Sequence, residues 1–156
     1  MLNWVIGRVA HSSLIMALLA VLSATPVLAT SVCELVRQYE NATIGADEKV
    51  IIASTALTKA QDKERAVADY IATARVAYAP IGNVLQEVSG LLPHKEDLKQ
   101  DADRFAANLE RIAQMTREAV NRGVHPLQAI SEAFDEVNLV SDSVHQWFAM
   151  QWSICK

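Results

Sequence analysis

From about residue 31 onward, apolar side chains recur at intervals of three and four, and strand-like alternation is almost absent. One run reads Val50, Ala53, Leu57, Ala60, Glu64, Val67, Ile71, Ala74, Tyr78, and another Leu98, Ala102, Phe105, Leu109, Ile112, Thr116, Ala119. A third reads Leu127, Ile130, Phe134, Val137, Ser141, Val144, Phe148, with a second stripe, Ala133, Val140, Trp147 and Ile154, that widens its apolar face. Such spacing gives each helix one apolar side, and these sides bury well against each other in antiparallel array at about +20°. Helix breakers punctuate the pattern at Gly45, Ala79-Pro80, Gly90, Pro93, Gly123 and Pro126. Together they predict helices over 31–43, 46–78, 81–91, 94–122 and 126–154. Pro93 leads into His94-Lys95-Glu96-Asp97, whose acids suit the positive end of a helix, and Pro126 stands where a missing N–H costs little. The predicted fold is all-α: an antiparallel helical bundle of three to four main helices plus a short connecting helix. That connecting piece, 81–91, would span only about 16 Å.

The first residues follow a different pattern. Arg8 precedes an uninterrupted apolar run, Leu14–Ala24, then Pro26 and Val27-Leu28-Ala29, which sets small residues where a signal peptidase cuts. The run is about eleven residues, short of the roughly twenty a membrane-spanning helix needs. Residues 1–29 are therefore expected to be a secretory signal peptide and 30–156 a single helical-bundle domain, with retention as an N-terminal anchor the alternative. The expected compartment is the periplasm or the secreted space. Asn41-Ala42-Thr43 fits the N-glycosylation pattern, which matters only in a eukaryotic secretory pathway.

Two cysteines, Cys33 and Cys155, stand near the two ends of the domain. In an exported protein such a pair is expected to bond, linking the N- and C-termini. A bond between the ends wants both termini at one end of the bundle.

Charge narrows the range of partners. The chain has 14 Lys and Arg against 18 Asp and Glu, and loss of Arg8 with the leader takes the net charge from −4 to −5. Basic residues are interleaved with acids, as in KAQDKER and HKEDLKQDADR, which reads as a solvated helix surface and not as a nucleic-acid footprint. Neither nucleic acid nor, after signal cleavage, a membrane is an expected partner; a homo-oligomer packed through the stripes is compatible with the pattern.

No catalytic constellation emerges. Asp142, Ser143 and His145 are close in sequence, but on a helix Ser143 points about 160° away from His145, so the nucleophile cannot reach its base. No two histidines have the spacing of ligands on one helix face, and there is no Cys-x-x-Cys, so no metal or cofactor is expected. A haem reading would rest on His145 opposed by Met115. Glu64 occupies a stripe position, where an ionised carboxylate needs a partner; Lys63, Arg65, Arg75, Arg104, Arg111 and Arg117 are the candidate cations. Glu64 with Arg111 thus marks a candidate pocket for an anionic small molecule. Near the C-terminus, Trp147-Phe148-Ala149-Met150-Gln151-Trp152 concentrates aromatic side chains around a flexible thioether. Phe148 and Trp152 project toward the core, leaving Trp147, Met150 and Leu139 as candidate partner-binding residues. The expected function is that of a non-catalytic binding or accessory protein acting on another exported protein or envelope assembly. The alternative is a small helical enzyme or binder of an anionic ligand.

Overall fold

The computed structural model describes the backbone of residues 6–155 and the side chains of residues 31–155. The predicted leader, 1–29, lies outside the described side chains. Five helices follow one another: α1 (Ile6–Lys59), α2 (Lys63–Leu91), α3 (Glu96–Asn121), α4 (Pro126–Glu136) and α5 (Asp142–Ile154). The described residues contain no strand.

The all-helical bundle is as predicted, but four of its helix boundaries differ. Gly45 lies inside α1 and breaks nothing. Tyr39 and Ala46 on either side of it are buried, and that anchorage outweighs the roughly 1 kcal/mol a helical glycine costs. The predicted 46–78 helix is instead divided at Ala60-Gln61-Asp62, because the Asp62 carboxylate caps α2 by accepting from the Arg65 N–H at 3.0 Å. Pro80 does not end that helix: it sits on the solvent side of α2, four residues after the exposed Val76, where water can satisfy the carbonyl left without its donor. The predicted connecting helix 81–91 is therefore the last part of α2. Conversely, the predicted 126–154 helix is split by Val137–Ser141 into two short helices.

Three long helices and the broken pair α4–α5 make four traverses. Residues 32–46 of α1 share a core cluster with Ala77–Val88 of α2, Leu98–Phe105 of α3, and Val140, Val144 and Phe148. At the other end Leu57 of α1 meets Val67, Ile71 and Ala74 of α2, Ala113 of α3 and Ile130 of α4. Early parts of one helix thus pack on late parts of the next, so consecutive traverses run antiparallel. Gly82 lets α2 approach α3 closely, since a Cβ there would meet the Phe105 ring at 2.8 Å. Gly123, at φ +90°, ends α3: its N–H donates to the Val120 carbonyl at 2.9 Å, and the Val124 N–H to Ala119 at 3.0 Å. The path returns the end of α5 to the first described side chains of α1, where Cys33 and Cys155 are joined with their Cα atoms 5.3 Å apart.

Candidate functional site

Beside the disulfide, α1 and α5 lie next to each other without closing completely. They enclose an open groove of about 330 Å³, lined from α1 by Val36, Tyr39, Glu40, Thr43 and Ile44, and from α5 by His145, Phe148, Ala149 and Trp152. The α1 residues recur at three- and four-residue intervals, so one continuous strip of that helix forms the wall. Tyr39 and Phe148 stack with ring centroids 3.7 Å apart and planes within 6°. Trp147 meets the edge of Phe148 at 4.9 Å and 80°. The Tyr39 hydroxyl and His145 Nδ1 are hydrogen-bonded at 3.0 Å, and the Thr43 hydroxyl donates to its own helix at the Tyr39 carbonyl, 2.9 Å away. Burial, and secondarily the charge of Asp101, push the Tyr39 phenol well above its ordinary value, so it stays protonated. The groove is thus apolar in its body, with its hydroxyl and imidazole groups largely bonded to each other.

On its other flank α5 carries Trp147, Met150 and Ile154, spaced i, i+3, i+7. Met150 is 58 % and Ile154 73 % exposed, whereas Trp147 is half-buried against the core. The second stripe puts Ile154 on the apolar face with Ala133, Val140 and Trp147; because the helix is interrupted at 137–141, that stripe loses its register and its last member faces solvent. Leu139 is not exposed beside Met150: it is half-buried in the interruption, packed on two core clusters.

Glu64 and Arg111 are not brought together. With the chain divided at 60–62, Glu64 falls in the first turn of α2 and is exposed, so the burial that singled it out in the stripe is absent. It lines adjoining clefts of about 270 and 560 Å³, the first with Arg117 and Asn121, the second with Lys63, Gly123 and His125. Arg111 instead reaches from α3 to Glu136 of α4, at 3.1 Å, in a solvated pair. His145 and Met115 are also apart: the former engages Tyr39, and the latter packs against the cluster of Ile112, Ala133 and Val137. Among the described residues no group of three or more His, Cys, Asp or Glu side chains is arranged to hold a metal ion, and no helix is long and apolar enough to cross a membrane.

The groove was hidden from the sequence because its two walls are far apart in the chain; Tyr39 and His145 are separated by 106 positions. The available signal was the predicted disulfide, which requires the residues following Cys33 to lie beside those preceding Cys155.

Fold and site together define a disulfide-closed helical bundle with an apolar groove on one flank of its last helix and an apolar strip on the other. No family model, curated protein or solved structure matches the chain.

Proposed function

We propose that this chain is an exported, non-catalytic binding or accessory protein that acts on another exported protein or envelope assembly through the surface of α5. The observation that supports it most is the strip Trp147–Met150–Ile154. A helix held on one side by the core and at its end by a disulfide presents two large, exposed apolar side chains on a rigid support. Export rests on the leader pattern of residues 1–29 and on the disulfide, which oxidising compartments preserve. Leu139, half-buried against two core clusters, keeps only part of its surface for such a contact.

The test is native mass spectrometry of the protein recovered gently from its own compartment, alongside a variant carrying Trp147→Ala and Met150→Asp. A second polypeptide that accompanies the wild type and is lost from a folded variant supports the reading. A companion retained undiminished by the variant places the interface elsewhere.

A second reading, binding of an anionic small molecule, draws on the clefts around Glu64, where Lys63, Arg117 and His125 gather at one end of the bundle. In that reading the cations bind the ligand and Arg111 takes no part. Retention of an anionic metabolite in the same spectrum, lost on Arg117→Ala, distinguishes it.

A further inference from the structure

The groove between α1 and α5 has a chemistry of its own, independent of the strip on the opposite flank. At about 330 Å³ it lies at the small end of the range for small-molecule sites, and it has their usual make-up, apolar and aromatic walls with few polar groups. Most of those polar groups are already engaged: the Tyr39 hydroxyl with His145 Nδ1, and the Thr43 hydroxyl with the helix backbone. Glu40 is different. It is the one acid lining the groove, it is half-buried, and no Lys or Arg lines the groove with it. The nearest cation along α1, Arg37, is turned toward Glu34 at 3.8 Å and donates to the Cys155 carbonyl at 3.3 Å. A half-buried carboxylate with no Lys or Arg beside it among the described residues of the groove lining, at the edge of an aromatic slot, is complementary to a positive charge carried on an apolar body.

We infer that the α1–α5 groove binds a small organic cation, an amine with an aromatic or compact aliphatic body. The body lies against the Tyr39–Phe148 stack and Ile44, and the ammonium group pairs with Glu40. Asp101 adds to the negative field, since its charge already bears on the neighbouring Tyr39 phenol. The size of the groove favours a free molecule over a helix of a partner, which would need a longer trough.

Isothermal titration calorimetry of the intact disulfide-bonded chain with three probes of nearly the same shape tests this: phenethylammonium, 2-phenylethanol and 3-phenylpropionate. Phenethylammonium is expected to bind about fivefold to tenfold more tightly than the alcohol, with the carboxylate weakest. Glu40→Gln should bring the amine and the alcohol level while leaving the melting temperature unchanged. Ala149→Trp, at an exposed groove position, should fill the slot and remove binding of all three without loss of helicity. Equal binding of amine and carboxylate, a charge preference that survives Glu40→Gln, or no binding of any probe would each overturn the assignment. None of these outcomes depends on Met150 or Trp147, so the proposed protein partner stands or falls separately.

Discussion

Asp101 of α3 holds the start of α5 through Ser141: one carboxylate oxygen, Oδ2, accepts from the Ser141 backbone N–H at 2.6 Å and from its hydroxyl at 2.9 Å. Ser141 is the residue preceding α5, and its own side chain makes no capping bond to the helix. The capping charge is thus supplied from another helix, 40 positions earlier, and it satisfies an N–H while facing the positive end of α5. The bond also explains why a pattern that reads as one helix from 126 to 154 is divided. Continuing α4 through Ser141 would bind its N–H within the helix and take that donor from Asp101.

Asp101→Asn should therefore destabilise the protein by about 1–2 kcal/mol, since the amide still accepts but the charge-assisted part is lost. Asp101→Ala should cost more than Asp101→Asn. Urea unfolding measures the total, and hydrogen exchange localises it: the Val144 and His145 amides, which donate to the Ser141 carbonyl, should lose protection first. A uniform loss across all helices would instead assign Asp101 a general role.

The contrast between this break and the stripes shows what could be read from the sequence. Leu98, Ala102, Phe105, Leu109, Ile112, Thr116 and Ala119 are all buried, because one straight helix packed on one side obeys its own period. The disulfide was legible for a similar reason: two cysteines leave one intramolecular pairing. The turn at 60–62 was local, and Asp62 carried the signal of a cap, but an apolar period running across it from Leu57 to Val67 masked it. The cap on α5 was not local. Nor was the groove, since no spacing within α1 reveals that Tyr39 will stack on Phe148. Glu64 was singled out by a stripe position that exists only if 46–78 is one helix.

Reduction of the Cys33–Cys155 bond should lower stability substantially. The bond closes a separation of 122 residues. In the chain-entropy account, opening such a loop costs about 4–5 kcal/mol by releasing the unfolded chain. Paired urea titrations of the native protein and of Cys33→Ser/Cys155→Ser measure it. A shift below about 1 kcal/mol would mean that the unfolded chain keeps its ends together without the bond.

Alkaline pH should weaken the fold through its tyrosines. Burial, and then the neighbouring Tyr78, push the Tyr70 phenol up to about 12, while Tyr39 and Tyr78 are also raised, chiefly by burial. In the unfolded chain a tyrosine ionises near 10, so above about pH 10 the unfolded state releases its protons first. The stabilising contribution of the protonated phenols is thus fully present below about pH 10 and declines as pH rises toward the folded-state values. Melting temperatures between about pH 8 and 11.5 should fall, and fall less steeply in Tyr70→Phe and Tyr39→Phe. Unchanged slopes in both variants would mean that these phenols do not control the alkaline limb.

Two glycines on neighbouring helices should respond to alanine with opposite signs. At Gly45, in α1, an added Cβ would meet nothing within 4 Å, so Gly45→Ala removes unfolded-state freedom and should stabilise by about 0.4–1 kcal/mol. At Gly82, in α2, the same methyl would lie 2.8 Å from Cδ1 and 3.1 Å from Cε1 of Phe105. Phe105 is buried in the same core cluster as Ile81, Val84 and Leu85 of α2, so the ring has little room to yield. Overpacking typically costs about 1–3 kcal/mol, which exceeds the roughly 1 kcal/mol gained in helix propensity. Gly82→Ala should therefore be destabilising, and Phe105→Leu in the same chain should recover part of the loss by shortening the side chain that collides. Thermal unfolding of both single variants and of the Gly82→Ala/Phe105→Leu pair decides it. If Gly82→Ala stabilises as Gly45→Ala does, α2 and α3 are not as closely apposed in solution as the Phe105 ring requires.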